Sequence, residues 1–137
     1  MVRKLLLIFI LIVLCNRVQN STEVPVLIVS TEPEVAPIEK LIYAIGMVEA
    51  TLDTLAYNPK EEATGYFQIR PIRLADYNKR TGKTYKLEDM YNFDIAKEIF
   101  MYYADLIGYD DFETIAKKWN GSGPMTIIYW EKVKSYL

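Results

Sequence analysis

From Pro37 onward, apolar residues recur every three or four positions in four separate runs, the spacing of helices that bury one face. In the first run Ile38, Leu41, Ile42, Ile45, Val48 and Leu52 form the stripe, Pro37 suits the opening turn, and a helix is expected to about Leu55. The second run carries Ile95, Ile99, Tyr102 and Leu106, with Asp94 as its expected N-cap and Gly108 as its stop. A third begins near Asp110 and holds Phe112, Ile115, Ala116 and Trp119. A fourth follows Gly123-Pro124 with Ile127, Trp130 and Val133. Between the first two runs the periodicity breaks in a stretch rich in Gly, Asn and Arg, where only a short helix around Leu74–Lys79 is expected. These elements predict a small, mainly α single domain over residues 37–137, with an irregular central region able to hold a site.

The segment before Pro37 has a different character. Arg3 and Lys4 precede an unbroken apolar run from Leu5 to Leu14, ending at Cys15. A basic start and an apolar core of that length describe a secretory signal over residues 1–15. A membrane-spanning helix needs roughly 20 apolar residues, about twice this run. Export to the periplasm or cell envelope is the expectation. Cys15 directly after the core resembles a bacterial lipoprotein signal, which implies membrane attachment through a lipid on that thiol, although Val13 and Leu14 stand where such signals carry small residues. Asn20-Ser21-Thr22 fits a glycosylation sequon, relevant only in a eukaryotic secretory pathway. Residues 16–36 contain Pro25, Pro33 and several Ser and Thr, a composition that suits a tether; within it Val26–Val29 is an apolar run able to dock as a strand.

Composition narrows the chemistry. The 137 residues carry a net charge of −2, which argues against nucleic acid as a partner, because such affinity rests on neutralising phosphates. There is no histidine and a single cysteine. Nucleophiles served by a His base, His-ligated metals, zinc ribbons and internal disulfides are thereby excluded. Carboxylates, Lys, Arg, Tyr, amides and hydroxyls remain.

One carboxylate is out of place. At 100° per residue from Ile38, Ile42, Ile45 and Leu52 fall within roughly 40° of it, and Glu49 falls at about 20°, inside the apolar stripe. A carboxylate there is costly unless it is paired or opens on a cleft. Desolvation raises its pKa, as a general acid working near neutrality requires. The competing expectation is a structural Glu paired with Arg70 or Arg73.

Three blocks then stand in order: Met47-Val48-Glu49-Ala50; Tyr57-Asn58-Pro59 followed by Glu62-Ala63-Thr64-Gly65-Tyr66-Phe67-Gln68-Ile69-Arg70-Pro71; and Lys118-Trp119-Asn120-Gly121-Ser122-Gly123-Pro124. Over about residues 38–136 the chain resembles the catalytic domain of soluble-type lytic transglycosylases, a branch of the lysozyme-like superfamily. The resemblance implies a mainly α, lysozyme-like single domain with an irregular or short β-containing central region. It also implies Glu49 as acid/base, Gln68 as a glycan contact, and Asn120 near the catalytic carboxylate. Trp119 stands where the family has Tyr, keeping a ring for stacking on sugar. Tyr66 and Phe67 replace a Leu-Met pair and imply an aromatic lining. Asn58 and Tyr102 fall where further substrate contacts are expected. Ala50 stands where the family usually has Ser, and Glu62 where it has Gly.

What the resemblance implies for mechanism is a single acid. In phage-type lysozymes a second carboxylate follows the catalytic Glu by nine residues, and here that position is Asn58. Asp53, Glu61, Glu62 and Asp76 are other acids of the same stretch, with no position across a cleft assignable from sequence. The implied partner is the peptidoglycan glycan strand, cut between N-acetylmuramic acid and N-acetylglucosamine to leave a 1,6-anhydro end, by a monomer needing no metal or cofactor. Two alternatives stay open: a hydrolytic muramidase, and a catalytically silent glycan-binding protein of the same fold. Between Arg70 and Lys86, six basic residues face one acid, Asp76, which reads as a solvated loop or a basic rim for peptidoglycan carboxylates, with Arg70 and Arg73 the expected contacts. Most of the eleven tyrosines are expected in half-buried core positions.

Overall fold

The computed structural model describes residues 36–137. The apolar leader, Cys15, the sequon and the Val26–Val29 run lie outside the described residues. Within them the protein is mainly α, with five α-helices, one 3₁₀ turn and one two-stranded antiparallel sheet.

Helix α1 (Pro37–Ala50) opens on Pro37, whose fixed φ and missing N–H suit a first turn. Leu41, Ile42, Ala44 and Ile45 are buried. The helix ends at Ala50 rather than near Leu55: Thr51 and Leu52 take φ values of 52° and 66°, and the N–H of Leu52 reaches back to the Gly46 carbonyl at 3.1 Å. Such left-handed residues close a helix. Leu52 therefore leaves the stripe and is 37% exposed.

The chain then forms strands β1 (Tyr57–Asn58) and β2 (Ala63–Thr64), with Tyr57 opposite Thr64 and Asn58 opposite Ala63. Glu62 adopts φ 52°. Gly65 follows at φ 77°, and a Cβ there would lie 2.0 Å from the Met90 carbonyl oxygen, so only glycine permits that approach.

Helix α2 (Pro71–Thr81) is longer than the Leu74–Lys79 segment expected; Pro71 opens it and Gly82, at φ 74°, closes it. A 3₁₀ turn (Leu87–Tyr91) leads into α3 (Phe93–Asp105). Its N-cap is Asn92, not Asp94: the Asn92 side chain accepts from the N–H groups of Asp94 and Ile95 at 2.9 and 3.3 Å. Asp94 sits instead in the first turn, where a negative charge favours the helix dipole. The buried face of α3 is Ala96, Ile99, Phe100 and Ala104, while Leu106 lies past the helix end and is 60% exposed.

Asp111 caps α4 (Phe112–Asn120) by accepting from the Thr114 N–H, and Ile115, Ala116 and Trp119 are buried as their spacing predicts. In α5 (Met125–Lys134) the phase differs from expectation. Thr126, Tyr129 and Val133 are buried, Trp130 is half-buried, and Ile127 is 56% exposed. α5 packs against α4 and α1, which brings Tyr129 to the C-terminal end of α1. The centre of the domain is aromatic: the Phe67 ring stacks on Phe100 at 4.9 Å and meets Trp119 edge-on at 6.0 Å.

Candidate functional site

Glu49 is the penultimate residue of α1, in the last turn before the chain reverses. It opens on a pocket of about 180 Å³ that Asn58, Gln68, Arg70 and Asn120 also line. The sheet delivers Asn58, and with the turn after it Glu61 and Ala63. Arg70 is held extended, as a residue before proline must be, and Asn120 is the last residue of α4. Glu49, Gln68, Asn58, Trp119 and Asn120 thus meet in one place from blocks up to 71 positions apart.

The Glu49 side chain is half-buried. Its one hydrogen bond within the domain is from the Tyr129 hydroxyl, which donates to Oε1 at 2.7 Å. Burial pushes the pKa up to about 7 from an ordinary 4.5. The Tyr129 hydrogen bond and the charges of Arg73 and Arg70 pull against that rise, and the neighbouring Glu61 adds to it. Burial, then the Glu49 charge, raises the Tyr129 pKa well beyond the usual phenol range, so this hydroxyl keeps its proton and acts as donor.

Neither arginine forms an ion pair with Glu49. Arg70 spends its guanidinium on the Asn120 carbonyl at 3.3 Å and on Glu61 at 3.9 Å. Arg73 donates from Nη2 to the carbonyls of Trp119 and Lys118, at 2.7 and 3.5 Å, and lies 4.0 Å over the Trp119 ring. Burial and the nearby Arg70 lower the Arg73 pKa, but a guanidinium remains charged. Two cations therefore bias the pocket from a distance without neutralising the acid.

Several residues expected at a glycan face are elsewhere. Tyr66 is buried under α1, its hydroxyl donating to the Ile42 carbonyl at 3.4 Å; a Cβ at Gly46 would collide with its ring at 2.1 Å. Phe67 has no exposed surface and belongs to the core. Tyr102 meets Tyr77 and Tyr103 edge-on and does not line the pocket. Residues 65–68 form a turn with left-handed Gly65 and Gln68, at φ 77° and 48°, so Tyr66 and Phe67 are buried while Gln68 lines the pocket. Trp119 reaches the pocket wall but is only 5% exposed; its Nε1 donates to the Phe67 carbonyl at 3.1 Å, and Arg73 covers a face of the ring. It is a wall rather than an open stacking platform. Gln68 commits its Nε2 to the Gly65 carbonyl at 3.0 Å, which leaves its oxygen for a ligand.

Tyr129 is the site residue that sequence reasoning missed. Its one sequence signal is its place three residues after Thr126 and four before Val133, which together form the buried face of α5. Among the described residues no group of three or more Asp, Glu, His or Cys side chains converges to hold a metal. The arrangement can donate a proton near neutrality, take it back, and bind polar groups through Asn58, Gln68, Arg70 and Asn120. Comparison with models of protein families, with curated proteins and with solved structures finds no match to this chain.

Proposed function

We propose that the protein cleaves peptidoglycan glycan strands between N-acetylmuramic acid and N-acetylglucosamine, with Glu49 as the single acid/base and a 1,6-anhydro end as product. The observation that carries this is a half-buried carboxyl, its pKa raised to about 7, that opens on a polar pocket and is held by a tyrosine rather than paired with an arginine. The resemblance of the three sequence blocks to lytic transglycosylases supports the substrate, and the apolar Leu5–Leu14 run supports delivery to the cell envelope.

The steps balance without water. Glu49 gives its proton to the bridging oxygen as the C1–O bond breaks, and the acetamido oxygen of the muramic sugar closes on C1. The Glu49 carboxylate, steadied by the Tyr129 hydroxyl, then takes the proton of the C6 hydroxyl. O6 attacks C1, the acetamido group is released, and Glu49 is again protonated. Exclusion of water by burial keeps the carboxyl at a pKa suited to both transfers.

One observation favours a second reading, hydrolysis. Glu61 lines the same pocket and is available as a base for a water molecule. Digestion of purified cell wall with the protein and mass analysis of the fragments separates the two, because the anhydro end is one water lighter than a reducing end. Wild-type protein is expected to release anhydro fragments and Glu49→Gln none. Reducing ends would establish the muramidase reading, and no release by wild type would refute cleavage and favour a catalytically silent protein.

A further inference from the structure

A larger hollow, of about 520 Å³, lies among α2, α3 and α4 and shares with the Glu49 pocket only Arg73 and Trp119. Its walls are aliphatic: Ile72 from α2, Leu106 and Ile107 after α3, and Ile115 from α4. Ile72 and Leu106 stand 78% and 60% exposed at this hollow, with nothing among the described residues to cover them. Its charged residues are Arg73, Arg80, Lys118 and Asp76. Asp76 neutralises Arg80 at 2.8 Å. Arg73 uses only Nη2 within the domain, leaving Nε and Nη1 free, and Lys118 has no ion pair among the described residues.

An aliphatic lining beside two cations that have no ion pair among the described residues suits small apolar side chains next to free carboxylates. It does not suit a sugar ring, which needs polar side chains for its hydroxyls and an open aromatic face. The Trp119 ring is under Arg73, and the Tyr103 hydroxyl already donates to Asp76 and the Arg73 carbonyl at 2.8 and 3.2 Å. A muramic sugar in the Glu49 pocket carries, on its lactyl group, a short peptide with alanine methyls and carboxylates. Arg73 and Trp119 line both the Glu49 pocket and this hollow.

We infer that this hollow seats the stem peptide of the strand being cut, its carboxylates at Arg73 and Lys118 and its methyls against Ile72, Leu106 and Ile115. The inference rests on the glycan-cleaving function proposed above, and binding tests it separately from cleavage. The probe is the free tetrapeptide released from cell wall by an amidase, titrated into the protein and followed by calorimetry and backbone amide shifts; tri-N-acetylglucosamine serves as the sugar probe. The tetrapeptide is expected to bind and to shift the amides of Ile72, Leu106 and Lys118. Ile72→Asp and Lys118→Glu, both at exposed positions that folding tolerates, are expected to weaken it about tenfold, the factor that 1.4 kcal/mol represents. Glu49→Gln is expected to bind it as wild type does. No binding, binding indifferent to both substitutions, or shifts of this hollow by the sugar instead of the peptide would overturn the inference. Peptide binding here by a protein that cuts no wall supports the hollow and refutes cleavage; cutting without peptide binding does the reverse.

Discussion

Replacing Tyr129 with Phe removes one oxygen and leaves the ring that shields Glu49. The lost interaction is the 2.7 Å hydrogen bond to Oε1, which favours the ionised carboxyl and holds its pKa down to about 7 against the effect of burial. A hydrogen bond to a charged group is worth about 1.5–3 kcal/mol, and 1.36 kcal/mol corresponds to one pH unit, so the Glu49 pKa should rise by roughly one to two further units. A general acid works while protonated, so activity falls as pH rises through its pKa. In wild type that fall is expected near pH 7, and in Tyr129→Phe one to two units higher, with a lower rate at the plateau because a weaker acid donates less readily. The assay is the initial rate of fragment release from purified cell wall between pH 5 and 10, at low substrate so that the free enzyme is observed. A fall that stays in place, or moves to lower pH, would refute the role assigned to Tyr129.

The same titration has a consequence for stability. Glu49 holds its proton up to about pH 7 when folded but only to about 4.5 when unfolded, so between those values the folded state binds the extra proton and loses stability as pH rises. Glu49→Gln should therefore be more stable than wild type by about 3 kcal/mol at pH 8, with the difference vanishing by pH 4.5, in urea denaturation at both values. Phe67→Ala should cost about 3–5 kcal/mol in thermal or urea unfolding, because the ring is wholly buried against Phe100; intact folding with weakened glycan binding would return Phe67 to the pocket. Asn92→Ala should cost about 1 kcal/mol by the same measure and Asp94→Ala less, whereas the reverse order would restore Asp94 as the cap of α3.

Much of the fold could be read from spacing. Buried Leu41, Ile42 and Ile45 on α1 and Ile115, Ala116 and Trp119 on α4 follow from apolar residues three and four apart, and Glu49 stood out because it interrupts such a stripe. What escaped depended on contacts between distant segments. Leu52 continues the periodicity of α1 by coincidence, and no local signal marks Thr51 as left-handed, since β-branched residues seldom adopt that conformation. Ile127 competes with Thr126 for the inner face of α5, and hydrophobicity alone favours Ile127. Packing against α1 and α4 chooses the face with Thr126, Tyr129 and Val133 instead. That choice brings a tyrosine to Glu49, which is why the partner of the acid was hidden while the acid was not. Linear motifs misled in the same way for Tyr66 and Phe67: the block identifies the loop, but the direction of each side chain depends on its backbone turns.

The protonation of Glu49 can be observed without any substrate. In the protein labelled with carbon-13 at glutamate side-chain carboxyls, with Glu49→Gln to assign the resonance, its chemical shift is followed from pH 3 to 9. A midpoint near 7, well above that of the exposed glutamates, is the expected result. A midpoint near 4.5 would mean that the carboxyl is an ordinary solvated anion, and with it the case for a single-acid glycosidase would fall.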